Sequence, residues 1–191
     1  MTAVVLAVLA AVWLSSPAGA CIFGPWEGQV TPTSGRTTLE ISAAVSPEPG
    51  NEISLGTQPG AFGTHAALAV RGGTVWTKSA FGTVNLGGAI VVRDDRSNRT
   101  VTLHSVVVSL LPNPSITADI AGSGPMTIFT LSLGPAPDNR VYRVGPHRLV
   151  IGSSVVRLSE AGAIALDKQL GTRAFSGGGL FGTLAASATV T

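Results

Sequence analysis

The chain has 191 residues, 45% hydrophobic and 12% charged, with a net charge of +2 at neutral pH. That length suits one domain with a core large enough to fold without disulfides or metals, and high hydrophobicity with little net charge excludes intrinsic disorder. The ten arginines are scattered, and strand alternation would divide the nearest group (Arg140, Arg143 and Arg148) between two faces, so the basic balance gives no nucleic-acid footprint.

At the N-terminus, Thr2 to Leu14 is an uncharged apolar run of 13 residues. It is too short for the roughly 20 residues a membrane-spanning helix needs, and it has the length of a secretory h-region. Pro17 breaks the run, and Ala18-Gly19-Ala20 places small residues at the −3 and −1 positions of a cleavage site. Residues 1–20 therefore read as a signal peptide, and the protein as secreted or held in the cell envelope. The n-region lacks Lys and Arg, which leaves the start codon open.

Cys21, the only cysteine, cannot pair within the chain. One reading is lipidation at Cys21 as a membrane anchor, from which Ala18 departs, since a lipobox usually carries Leu there. The other is ordinary cleavage that leaves an incidental thiol.

Residues 21–36, rich in Gly, Pro and Thr, read as a linker, and 37–191 as the domain. Thr37 to Val45 alternates as a first strand, and Pro47 to Asn51 is a turn. Residues 57 to 65 read as a loop, and Gly72-Gly73 as a two-residue hairpin between Ala66–Arg71 and Thr74–Trp76. Asn85 to Arg93 and Arg99 to Leu111 form the clearest hairpin, around Asp94 to Asn98, and Pro112-Asn113-Pro114 ends it. Further short strands follow at Ser115–Ile120, Met126–Leu133, Val141–Val144 and Leu149–Leu158.

One helix is predicted, with Ser159 as N-cap, Glu160 in its first turn, Lys168 in its last and Gly171 at C′. Leu184 to Val190 closes the chain as a strand. Phe-Gly-Thr occurs at Phe62, Phe81 and Phe181, and reads as a recurrent strand opening with the Phe packed inward. The fold class is all-β, antiparallel and sandwich- or barrel-like, with one short helix near the C-terminus.

Chemistry-bearing motifs are sparse. His65, His104 and His147 form no HxxxH, HExxH or His-Cys pairing with metal-ligand spacing. Gly122-Ser123-Gly124 and Gly152-Ser153-Ser154 lack the frame of a nucleophile elbow. Asp94-Asp95 lacks the EF-hand pattern and reads as a turn. Gly177-Gly178-Gly179 follows a helix where a phosphate cradle would open one. These patterns predict no catalytic residue, no metal site and no enzyme.

Two stretches carry a family resemblance. Gly87-Gly88-Ala89-Ile90, Asn98-Arg99-Thr100-Val101-Thr102-Leu103 and Ser115-Ile116-Thr117-Ala118-Asp119-Ile120 make up the first, and Val156 through Leu166 the second. Over roughly residues 80 to 190 they resemble the HtaA-type domains of exported and surface proteins of actinobacteria. The resemblance implies a β-rich module, and for its characterised members haem held by an axial Tyr in an early W…F…Y block. This chain has Trp76 and Phe81 there but no Tyr; its one tyrosine is Tyr142, beside Arg140 and Arg143. If haem binding is retained, Tyr142 or one of the three histidines must supply the ligand.

The sequence thus reads as a non-catalytic exported or envelope β module of HtaA-like type, with haem as its candidate ligand. The alternative is a structural or adhesion module that binds a cell-envelope protein or a cell-wall partner. Nucleic acid is not an expected partner, and a membrane is one only through the signal segment or a lipid on Cys21.

Overall fold

The structure, a computed structural model, describes residues 29–41, 53–76, 81–132, 142–144 and 148–191. The signal segment, Cys21, the turn at Pro47–Asn51, Arg140 and His147 lie outside the described residues.

Among the described residues, thirteen strands and one helix follow the chain order β1 (Gln29–Val30), β2 (Pro32–Ile41), β3 (Ile53–Gln58), β4 (Ala61–Gly63), β5 (His65–Trp76), β6 (Gly82–Gly87), β7 (Ile90–Asp94), β8 (Arg99–Ser109), β9 (Ser115–Ile120), β10 (Pro125–Ser132), β11 (Tyr142–Val144), β12 (Arg148–Leu158), α1 (Glu160–Leu170) and β13 (Leu180–Val190). All strand pairs are antiparallel. Eight strands close a barrel in the order β5-β2-β13-β12-β10-β9-β8-β6, with β6 returning to β5. Closure removes the free edges that an open sheet of this length would expose.

Two barrel strands fork. β8 pairs with β6 through Val107–Ser109, but with β7 through Arg99–Leu103, where β7, β3 and β4 form a short outer sheet. The ladder slips between His104 and Val107, and Ser105 there has φ 51°; such a bulge bends one strand between two sheets. β12 likewise pairs with β10 through Val155–Leu158 and with β11 through Leu149–Ile151.

Period-two patterning selects the core. Ile116, Ala118 and Ile120 of β9 turn inward while Ser115, Thr117 and Asp119 turn outward. Phe129 and Phe181 are fully buried, with ring centroids 4.6 Å apart and tilted 44°, a favourable aromatic geometry.

The helix forms where its caps predict. Ser159 is extended and its Oγ accepts from the Gly162 N–H at 2.8 Å, while Gly171 adopts the left-handed conformation at φ 69°. Ser159 Oγ also donates to the Thr127 carbonyl at 2.6 Å, which pins the helix start to β10. Ala163, Leu166 and Leu170 enter the barrel core, so α1 closes one end of the barrel against β8 and β10. A Cβ at Gly162 would overlap the Ile128 carbonyl; glycine is what allows this close approach.

Four readings change. β2 starts at Pro32, inside the stretch read as linker, because strand pairing with β13 reaches Pro32 and organises a sequence with weak intrinsic signal. Gly72-Gly73 is not a hairpin: β5 runs through it with a bulge opposite β6, and a Cβ at Gly73 would overlap the Thr83 carbonyl. Residues 57 to 65 are instead the end of β3, a turn at Pro59-Gly60, the strand β4 and the first residue of β5. Asn85 to Arg93 is two strands, broken at Gly88 (φ 97°), where the chain leaves the barrel for the outer sheet.

Candidate functional site

The two ends of the barrel differ. At the helix-closed end three aspartates are engaged in turns or an ion pair. Asp94, nearly fully buried, accepts from the Arg96 N–H at 3.1 Å and from Ser97 Oγ at 2.6 Å, which sets the β7–β8 turn. Asp95 accepts from Ser54 Oγ at 3.0 Å and ion-pairs with Arg93 at 3.0 Å; the Arg93 guanidinium lies 5.0 Å from the Phe62 ring centroid. Asp119 accepts from the Gly124 N–H at 3.0 Å in the β9–β10 turn. These carboxylates hold turns, and the turn reading of Asp94-Asp95 stands.

The same end carries a shallow groove of about 360 Å³ between the outer flank of α1 and the β9–β10 turn. Ile120, Met126 and Ile164 line it with Ala161 and Ala165, and Lys168 brings its one charge.

At the opposite, open end, which no element among the described residues covers, β5 and β6 present aromatic side chains to solvent. The Trp76 N–H donates to the Phe81 carbonyl at 2.8 Å, and Val75 pairs with Gly82, so Trp76 and Phe81 stand directly across from each other. Val75 is fully buried, whereas Trp76 is 41% and Phe81 40% exposed, which puts the aromatic pair on the outer face. One step down that face, Thr74 pairs with Thr83 and Thr83 with Ser109, so three hydroxyl residues cross three strands in one row. Asn85 lies exposed beyond them. Phe81 also bridges to Leu111.

The sequence had singled out Trp76 and Phe81, and the fold brings them together. The inward packing expected of the three Phe-Gly-Thr copies holds for Phe181 alone; Phe62 is half-buried and Phe81 exposed. Tyr142 opens β11 at this same end, its backbone paired with Ile151, three strands round the wall from β5. His65 and His104 lie at the other end, each exposed and each in register with a carboxylate residue, Glu40 and Asp119. Among the described residues no three His, Cys, Asp or Glu come close enough to hold a metal ion. The hydroxyl of Ser154 is buried in the barrel without a hydrogen-bond partner among the described residues.

Haem iron needs an imidazole, phenolate, thiolate or thioether. Among the described residues in register beside Trp76 and Phe81 the polar ones are Gln29, Thr74, Thr83, Asn85 and Ser109, and none of these is such a ligand. The aromatic rim itself therefore does not fit coordinated haem.

No family model matches the chain, and no curated protein matches it. Among solved structures it is similar to the C-terminal domain of HtaA from Corynebacterium glutamicum, with 15% sequence identity and a TM-score of 0.61, over 85% of this chain and 99% of that one. A domain-swapped dimer of a His-to-Ala variant of that domain matches with 17% identity and a TM-score of 0.51, over 73% of this chain and 82% of that one. At this identity the likeness is one of fold, and it extends the resemblance seen over residues 80 to 190 to most of the chain.

Proposed function

We propose that this chain is an exported, non-catalytic recognition module that works through the open end of an HtaA-like barrel. The observation that carries the reading is the pair Trp76 and Phe81, exposed on paired strands at the end away from the helix. Exposed aromatics on a fixed scaffold are the side chains recognition surfaces favour. Export rests on the apolar run and Ala18-Gly19-Ala20. Intact mass of the protein from its native host is expected to show cleavage before Cys21, and a retained Met1 overturns export.

Haem is the ligand that the resemblance suggests, and Tyr142 is the residue this reading assigns to its iron. Haemin titration of the exported chain is the test: the haem reading requires a stoichiometric Soret band that is lost in Tyr142→Phe. A wild-type chain without that band overturns it. The module then stands as a structural or adhesion domain for a protein or cell-wall partner, a reading favoured by the exposure of Trp76 and Phe81 side by side on one face.

A further inference from the structure

The geometry points to the outer face of the β5–β6 hairpin, Trp76 and Phe81 above the row Thr74–Thr83–Ser109, as a binding platform for an uncharged saccharide chain. The inference rests on the reading of the open end as the working end, and it needs no haem.

Three features select this ligand class. First, the aromatic side chains belong to cross-strand partners on one exposed face. Two exposed aromatic side chains on neighbouring strands suit the C–H faces of a sugar unit and its neighbour. Second, the adjacent row holds hydroxyls alone, about 6.6–6.8 Å further along the strands by the rise of two residues. Each hydroxyl both donates and accepts, as the hydroxyls of a saccharide do, and Asn85 adds an amide on the same face. Third, the register positions of both rows carry no charged residue; Arg71, the nearest on β5, lies over Gly87, and Glu27 and Lys78, which flank the rim in sequence, lie outside the described residues.

The same features disfavour the other occupants. Haem carries two propionates that call for cations. A membrane-inserting surface combines a broad apolar face with Lys and Arg, whereas here two aromatic residues border a hydroxyl row. Nor does stability explain the placement: two large aromatics left about 40% exposed forgo part of the burial free energy that every inward residue of β5 and β6 contributes.

The test is co-sedimentation of the exported chain with insoluble chitin, cellulose and mannan, in low and in high salt. Saturable retention on at least one of them, unchanged by salt, is expected, because an uncharged ligand gives salt nothing to screen. Trp76→Ala and Phe81→Ala should each weaken retention by about tenfold or more, and Trp76→Tyr should keep most of it, with circular dichroism of all variants unchanged. No retention on any of the three polymers overturns the inference, as does retention that survives Trp76→Ala or falls with salt. Trp76-dependent binding to phosphatidylcholine or phosphatidylglycerol vesicles, with no polysaccharide bound, overturns it in favour of a membrane contact. Haemin binding and leader cleavage are read in separate assays, so failure here leaves those outcomes distinct.

Discussion

The same eight strands run between the two ends of this barrel, and the ends treat aromatic residues in opposite ways. At the closed end Phe181 is fully buried against Phe129, α1 is capped at both termini, and Asp94, Asp95 and Asp119 are each engaged in a turn or an ion pair. At the open end Trp76 and Phe81 sit on the outer face, beside hydroxyls and without a covering element among the described residues. A region whose side chains satisfy one another is accounted for by stability alone. A region that holds two large aromatics in solvent on paired strands is not, and it is there that recognition is to be sought.

The Phe-Gly-Thr copies at Phe81 and Phe181 put that contrast to its largest test, since local sequence is the same and only the end differs. Phe181→Ala removes a fully buried ring and its partner contact, and should cost about 3–5 kcal/mol in urea unfolding. Phe81→Ala should cost less than about 1 kcal/mol while it weakens polysaccharide retention. Equal losses of stability would erase the distinction between the ends.

The contrast also marks what the sequence could tell. Local signals were legible: Ser159, Glu160 and Gly171 bounded the helix, Pro112-Asn113-Pro114 ended β8, and Ser115–Ile120 was read with its observed bounds. Where a residue's role depends on a distant strand, reading failed. Gly72-Gly73 resembles a turn because glycine serves turns, but at Gly73 glycine serves the close approach of the Thr83 carbonyl, which no local pattern reports. Pro32 to Arg36 looks like a linker until β13 pairs with it. Trp76 and Phe81 were noted through a family block, yet that they share one exposed face follows only from the register of β5 on β6. Tyr142 was legible as the only tyrosine, and the fold adds that its strand lies at the open end.

A second test probes how firmly the closed end is tied. Ser159→Ala loses the bond from the Gly162 N–H and the one to the Thr127 carbonyl, and should destabilise the fold by about 1–2 kcal/mol. Ser159→Asp keeps an acceptor for the helix but has no proton for Thr127, so it should recover only part of that loss. Recovery to the wild-type value would mean that the tie between α1 and β10 contributes nothing, and that the helix is held by its apolar face alone. Neither variant should change haemin or polysaccharide binding at the far end.

The smallest effect is expected where the closed end most resembles the open one. Ile164, on the outer flank of α1, is 63% exposed and borders the groove with Met126 and Ile120. It is an apolar side chain in solvent, as Trp76 is, but it stands alone on its turn beside alanines, and single exposed apolar residues need no functional account. Ile164→Lys should therefore shift stability by no more than about 0.5 kcal/mol and leave polysaccharide retention at the wild-type level. Trp76→Ala should match it in stability and differ in retention. A loss of retention in Ile164→Lys would place recognition at the helix end as well, and a large loss of stability would show that the groove is part of the core. With both quantities unchanged, exposure alone does not define a recognition surface in this fold: the distinguishing features are paired aromatics, a hydroxyl row and strands that fix the two in register.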